Sequence, residues 1–249
     1  MTNLARPVAL ITGAAKRIGA RIARRLHGQG YDLALHYNTS RQDMDALLAE
    51  LEAARADSVI ALQADLGQFD RLPELIAKTI GRFGRLDALV NNASTFFATP
   101  FGPSTPAQWD ALFNINARAP YFLSQAAAPH LQHSGGAIVN ITDLYAEHPL
   151  AGHAMYAMSK AALAQMTRAL ALELAPDVRV NAIAPGAILW PEATDAASRE
   201  RQDAILERTP LARTGSADEV ADAVLWLLRD AGFITGHSLP LDGGRSLPG

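Results

Sequence analysis

The sequence has no cysteine, which excludes disulfides, thiolate metal sites and cysteine nucleophiles together. It has no basic run, and a net charge of -3 over 249 residues argues against a nucleic-acid partner. No apolar run is long enough to span a bilayer, and residues 1–7 lack the apolar core of a signal peptide. These absences point to a cytoplasmic protein with no membrane partner. The seven histidines show no metal-ligand spacing, and His130 and His133 read as capping or surface groups, so no metal is expected. Internal repeats and low-complexity tracts are also missing. What remains is a chain with 49% hydrophobic and 19% charged residues, rich enough for a large core and of a length that fits one α/β domain over residues 1–249.

Short apolar runs alternate with longer helical patterns. Residues 8–12, 33–37, 59–63, 88–91, 137–142, 178–182 and 237–241 read as strands. Residues 17–30, 44–55, 72–83, 106–131, 155–174 and 218–228 read as helices. The strands are apolar on both faces, and right-handed crossovers between them give a Rossmann-type doubly wound parallel β-sheet of about seven strands with helices on both faces. Residues 185–215 carry no clear pattern. They follow the carboxyl end of a strand, where substrate loops sit in open α/β sheets.

The first strand runs into Thr12-Gly13-Ala14-Ala15-Lys16-Arg17-Ile18-Gly19. Gly13 permits a tight turn and Gly19 permits close packing of helix on strand. The next helix then presents free N–H groups to a pyrophosphate, with Lys16, Arg17 and Ile18 at its start. An NAD-specific site places an acid about 20 residues further on. Here the second strand ends His36-Tyr37-Asn38-Thr39-Ser40-Arg41, with no acid. Hydroxyls and an arginine suit a 2′-phosphate, so NADPH is the expected cofactor, held by Ser40, Arg41 and Thr39 or His36. Ser40 reads equally as a helix N-cap, and the two roles are compatible.

Tyr156 and Lys160 lie four apart at a helix start and so share a face. A neighbouring ammonium is expected to lower the phenol pKa and let the pair donate a proton near neutral pH.

Taken in order, these segments resemble the short-chain dehydrogenases/reductases over nearly the whole chain. The matching pieces are residues 12–19, Asp65-Leu66, Asn91-Asn92-Ala93, Asn116, Tyr156 to Lys160, Asn181, Pro185-Gly186 and Leu241-Asp242-Gly243-Gly244. The resemblance implies that Asp65 and Leu66 edge the adenine pocket and that Asn92 and Ala93 line the cofactor cleft. It implies that Lys160 holds the nicotinamide ribose, that Asn116 anchors a proton-relaying water, and that the protein is a homotetramer. Apolar residues on several faces of 106–131 and 155–174 suit that assembly.

Two departures from the family pattern carry more information. Arg17 stands where the family usually has glycine. Asp143, thirteen positions before Tyr156, stands where it usually has serine. That serine donates a hydrogen bond to a ketone; an ionised carboxylate cannot donate and repels an oxyanion. Asp143 instead suits reduction of a C=N bond, whose nitrogen gains a proton. Both departures resemble the pteridine reductases, as do the segment from His36 to Ser40 and the segment Asn91-Asn92-Ala93-Ser94-Thr95-Phe96-Phe97. By that resemblance a pterin or folate substrate lies between Phe96 and the nicotinamide, bound by Ser94 and Arg17, with Asp143 and Tyr156 at its reacting edge. Phe97 reads as core packing. Trp190, with Pro191, either closes over the substrate or packs. Arg245, just past Gly243-Gly244, either approaches an active site, its own or a partner subunit's, or is a solvated charge, the reading preferred. The competing expectations are reduction of a ketone, such as a 3-oxoacyl thioester or a sugar, and an inactive NADPH-binding regulator.

Overall fold

The chain is described from a computed structural model, which covers residues 6–189 and 196–247. Seven strands, β1 (Val8–Ile11), β2 (Asp32–Tyr37), β3 (Val59–Gln63), β4 (Ala88–Asn91), β5 (Ala137–Ile141), β6 (Arg179–Pro185) and β7 (Ser238–Leu241), form one sheet. Its order is β3-β2-β1-β4-β5-β6-β7, and every neighbouring pair is parallel. Among the described residues eight α-helices accompany it: α1 (Arg17–Gly28), α2 (Arg41–Ala54), α3 (Leu72–Phe83), α4 (Pro106–Phe113), α5 (Ala119–Ser134), α6 (Ala154–Glu173), α7 (Ala196–Glu207) and α8 (Ala217–Arg229).

The period-2 alternation of a strand explains the layering. In β1, Ala9 and Ile11 join a core with Ile22 and Leu26 of α1, Leu47 of α2 and Val224 of α8. Val8 and Leu10 join the opposite core, with Leu75 of α3, Leu123 of α5 and Leu170 of α6. All four β1 side chains are buried, which is why the run is apolar throughout rather than alternating. From β1 the chain winds outward through β2 and β3, then returns to β4 on its other side and winds away to β7. That reversal leaves a crevice at the carboxyl ends of β1 and β4, where ligands bind in such sheets.

Helix boundaries follow local chemistry. Thr105 caps α4 through Gln108 and Ser216 caps α8 through Glu219, each in a reciprocal capping box. Three elements differ from the pattern read in the sequence. The helix expected over 106–131 is interrupted: α4 and α5 flank a π turn, Asn114–Arg118. Pro120 has no N–H to return to the carbonyl of Asn116, so the regular ladder breaks there. β6 runs on to Pro185, past the expected end at 182, and α2 starts at Arg41, before the expected 44. Within 185–215, where no pattern was legible, the chain forms α7. Among the described residues, no helix is long and apolar enough to cross a membrane.

Arg179, at the start of β6, ties the sheet to the end of α8. Its guanidinium donates to the carbonyls of Leu227 (2.6 Å), Leu228 (2.8 Å) and Ala231 (3.1 Å). The first two belong to the last turn of α8, where carbonyls lack helical partners, and Ala231, just beyond it, also receives the Ile234 amide. Arg179→Ala leaves the Leu227 and Leu228 carbonyls unpaired and is expected to cost about 2–4 kcal/mol, read as a fall in the urea midpoint at unchanged slope. A midpoint equal to that of the wild type would refute this capping role.

Candidate active site

The turn after β1 is built around two glycines. Gly13 adopts φ of 62°, and a Cβ there would lie 3.0 Å from Ala93 Cα. A Cβ on Gly19 would lie 2.1 Å from the carbonyl oxygen of Gly13, so only glycine lets α1 start so close to the turn. Side chains from the strand ends fix the turn from beneath. Thr12 Oγ1 accepts from the amides of Asn92 (2.9 Å) and Ala93 (3.0 Å). Asn92 Nδ2 donates to the carbonyls of Thr12 (2.9 Å) and Gly13 (3.1 Å). Above lies a cleft of about 420 Å³, lined by Gly13, Lys16, Arg17, Ile18 and Gly19 on one side and Leu66, Asn92, Ala93 and Ser94 on the other. A glycine cradle that side chains would fill, opening onto the first turn of α1, fits the diphosphate of a dinucleotide.

At the outer end of the cleft the expected phosphate contacts divide. His36 is buried, and both its ring nitrogens are committed: Nδ1 accepts from Gly13 N at 3.2 Å and Nε2 meets Ala64 O at 3.1 Å. Burial lowers its pKa, so it is a neutral brace for the turn rather than a cation for a phosphate. Tyr37 is buried as well. Arg41 and Lys16 are exposed, bridged to Asp45 (3.3 Å) and Asp43 (2.9 Å) of α2. Ser40 occupies the N-cap position of α2 without a side-chain cap bond, leaving its hydroxyl unspent at the rim. Leu66 lines the cleft, whereas Asp65 is exposed and its carboxylate receives the Gly67 amide at 2.9 Å.

Arg17 adopts φ of 52°, a left-handed conformation that costs a residue with a Cβ roughly 1–2 kcal/mol. This explains why glycine is usual at this position. The exposed guanidinium reaches across the cleft and donates to the Leu189 carbonyl at 3.2 Å. Trp190 and Pro191, expected nearby, lie outside the described residues.

The end of β5 and the start of α6 bring the central group together. Tyr156 Oη donates to Asp143 Oδ2 at 2.6 Å, and Asp143 Oδ1 accepts the Tyr145 amide at 2.8 Å. One turn along α6, Lys160 is buried, with Nζ donating to the Ile141 carbonyl at 2.9 Å. Burial pushes the Lys160 ammonium down to about 8, against the pull of Asp143. That single protein contact leaves two of its three donors for a ligand.

The expected lowering of the Tyr156 pKa is not what the geometry produces. Burial and the adjoining carboxylate raise it, while the Lys160 ammonium stands 5.9 Å from the ring centroid and bonds elsewhere. Tyr156 therefore keeps its proton in the cofactor-free protein. Asp143 is itself raised, chiefly by burial, despite its two hydrogen bonds and the charges of Lys160 and Arg245.

Asn116 sits buried in the π turn. Its amide is fully used: Oδ1 accepts from Ser94 Oγ (3.1 Å) and Thr95 N (2.9 Å). Nδ2 donates to Thr95 O (2.9 Å) and Ser159 Oγ (3.0 Å). A water held by Asn116 must therefore use its backbone carbonyl, the group that Pro120 cannot reach. Ser94 spans Asn116 and the Tyr156 phenol. Phe96 is 55% exposed and meets the Tyr156 ring edge-on at 4.7 Å, while Phe97 is only half-buried. Gly186 closes the far side, where a Cβ would strike Asp242 at 2.8 Å, and Pro185 is buried beside it.

Two further participants are not singled out by the sequence, and a third, Arg245, reads there as a surface charge. His153 stacks on Phe96 at 4.9 Å, and Ser159 links Asn116 to α6. Arg245, read as a solvated charge, instead lies over the Tyr145 ring at 5.7 Å and donates to its hydroxyl at 3.4 Å. Ser159 had a signal, one residue before Lys160 on a buried helix; the other two are joined only by long-range folding. Asn181 is structural, tying β6 to the Ile234 carbonyl and the His237 amide.

A glycine-cradled dinucleotide cleft beside a buried Tyr–Lys pair, at the reversal point of a parallel sheet, defines a Rossmann-type nicotinamide-dependent oxidoreductase. The comparisons agree: a family model described as Enoyl-(Acyl carrier protein) reductase matches residues 13–246, and the chain belongs to the short-chain dehydrogenase/reductase family. It is 38% identical to Pteridine reductase 1 of Leishmania tarentolae, covering 99% of this chain and 98% of that protein. It is 35% identical to the 3-oxoacyl-(acyl-carrier-protein) reductase FabG of Staphylococcus aureus, covering 95% and 96%. It is also 35% identical to the Granaticin polyketide synthase putative ketoacyl reductase 2 of Streptomyces violaceoruber, covering 97% and 96%.

Asp143 offers a stability test of this electrostatics. Its pKa is raised on folding, so the folded protein holds the proton more tightly than the unfolded chain. Stability is thus favoured while the carboxyl is protonated and falls as pH rises through the folded value. Asp143→Asn removes that ionisation. The variant's melting temperature is expected to gain on that of the wild type as pH rises from about pH 4 to about pH 7. A melting difference that does not change with pH would contradict a raised Asp143.

Proposed function

We infer that the protein is an NADPH-dependent pteridine reductase, transferring a hydride to the ring of a dihydropterin, an oxidised pterin or dihydrofolate. One observation carries this reading: a carboxylate, Asp143, rather than a hydroxyl donor, is hydrogen-bonded to the proton-bearing phenol of Tyr156 at 2.6 Å. NADPH, when bound along the glycine turn, supplies the hydride to a ring carbon. The chain's own work is to deliver a proton to the adjacent ring nitrogen.

Tyr156 holds that proton on Oη. A phenolate beside an ionised carboxylate is costly at low dielectric, so Tyr156 releases its proton when Asp143 is itself protonated, a state that burial favours. The carboxyl proton then passes to Tyr156 Oη as the phenol proton passes to nitrogen. The phenol is restored and the carboxylate remains. Lys160 uses its free donors on the nicotinamide ribose, and the Asn116 carbonyl holds a water near it. Phe96, half exposed and with one face stacked on His153, offers its other face to a flat heteroaromatic substrate. Arg17 and Ser94 bind the pterin edge, and the left-handed backbone of Arg17 supports a functional reason for a side chain there. Ser40, Arg41 and Lys16 form the 2′-phosphate end, with Asp65 and Leu66 edging the adenine.

The named ketoacyl reductases among the relatives keep ketone reduction as the second reading. Asp143 disfavours it, because its carboxyl proton is committed to Tyr156 Oη and, once given up, leaves an anion that repels a developing oxyanion. A silent regulator is disfavoured by the intact set of Asn116, Tyr156 and Lys160. Trp109, Tyr121 and Met158, exposed on α4, α5 and α6, support burial of these helices in a homotetramer.

Exchanging the diagnostic group tests the reading. Asp143→Ser is expected to lower kcat on dihydrobiopterin at least 100-fold, with gain on a 3-oxoacyl thioester. Tyr156→Phe is expected to abolish turnover while NADPH still binds. Full pterin activity in the Ser variant, or turnover in the Phe variant, would remove these residues from their roles.

A further inference from the structure

Each turnover of the proposed reaction consumes one proton, and the pair Asp143–Tyr156 must be recharged. On the cleft side, the spare donors of Lys160 and the water at the Asn116 carbonyl serve the ribose and Tyr156, substrate lying between Phe96 and the cofactor covers the phenol, and none of these groups bonds to the Asp143 carboxyl, whose partners are the Tyr145 amide and Tyr156 Oη. Behind Asp143 the structure has a second opening. A cavity of about 40 Å³ is lined by Asp143, Glu147, His148, Ala184, Ser238 and Ser246. That is room for a water with several polar partners. Glu147 and His148 are exposed, so the cavity ends at solvent. Its wall is fixed from the C-terminal side: Asp242 accepts the amides of Gly244 (2.9 Å) and Ser246 (2.8 Å), which sets Ser246 at the cavity and Arg245 against Tyr145.

We propose that this rear cavity is the proton entry of the enzyme: Glu147 and His148 collect protons from solvent at its mouth, and water inside carries them to the Asp143 carboxylate. The inference rests on the pterin-reductase reading, since it needs a proton demand at Asp143. In the balanced cycle, the ring nitrogen takes the Tyr156 proton, Tyr156 takes the Asp143 proton, and a solvent proton passing the mouth restores the Asp143 O–H bond. The charged groups facing Asp143 are Lys160 from α6 and Arg245 from the C-terminal turn, with the Tyr156 and Tyr145 rings beside them. Both cations stabilise the carboxylate that each turnover leaves, while burial favours its return to the acid.

The test fills the cavity from strand positions where valine suits the backbone, Ala184→Val on β6 and, as an independent plug, Ser238→Val on β7. The Tyr145 amide, bonded to Asp143 Oδ1, reports water access without cofactor or substrate. In the cofactor-free protein its hydrogen exchange is expected to slow at least 10-fold in a folded plug variant. With NADPH and dihydrobiopterin, kcat is expected to fall about 10-fold at unchanged KM, with a larger solvent deuterium isotope effect. A Glu147→Gln, His148→Gln double variant, with the cavity open, is expected to lose kcat and regain it with added imidazole. Unchanged exchange or an unchanged isotope effect in a folded plug variant overturns the entry route while leaving the pterin reading intact. A wild type that oxidises NADPH with none of the pterins overturns both.

Discussion

The short hydrogen bond between Tyr156 and Asp143 is the contact on which the chemistry turns. A phenol against a buried carboxylate does not behave like a phenol against an ammonium. It keeps its proton, and in the proposed reaction it gives that proton up as the carboxyl group supplies another. Burial raises both groups, so in that reading the pair acts as a two-proton store. Such a store suits a nitrogen that becomes protonated and suits poorly an oxygen that must be stabilised as an anion.

The rest of the fold holds that contact in place. β5 delivers Asp143 at its carboxyl end, and α6 delivers Tyr156 and Lys160 one turn apart. The π turn caused by Pro120 lets Asn116 clamp the segment of Ser94 and Thr95 to Ser159 of α6. The two glycines at the end of β1 place a dinucleotide cleft beside this group, and Asn92 ties the two strand ends together. Arg17 shows that conformational strain is accepted at the cleft: its backbone sits where glycine is comfortable, and its side chain spans to Leu189. The C-terminal turn completes the far wall through Asp242.

Much of this was legible because it is local. Strands buried on both faces print continuous apolar runs, and the glycine turn and the spacing of Tyr156 and Lys160 are short-range patterns. The alignment of Asp143 with Tyr156 came from spacing along one strand–helix connection, and the two side chains do meet. What escaped was set by long-range packing or by a missing donor. The break at Asn114–Arg118 depends on one absent N–H at Pro120 inside an otherwise helical pattern. The phenol pKa went the other way because the Lys160 ammonium bonds to a strand carbonyl, a partner no motif announces. His36 became a brace because Gly13 and Ala64 converge on its ring from the two flanking strands. Arg245 reached Tyr145 across 100 residues of chain.

The central claim is that a carboxylate-backed phenol selects C=N over C=O. The most direct measurement compares kcat/KM of the unaltered enzyme, by NADPH oxidation, on dihydrobiopterin, dihydrofolate and 3-oxoacyl thioesters under one set of conditions. A preference for a pterin or folate of at least 100-fold, close to 3 kcal/mol of transition-state discrimination, is the predicted result. An equal or greater kcat/KM on the ketones would contradict it.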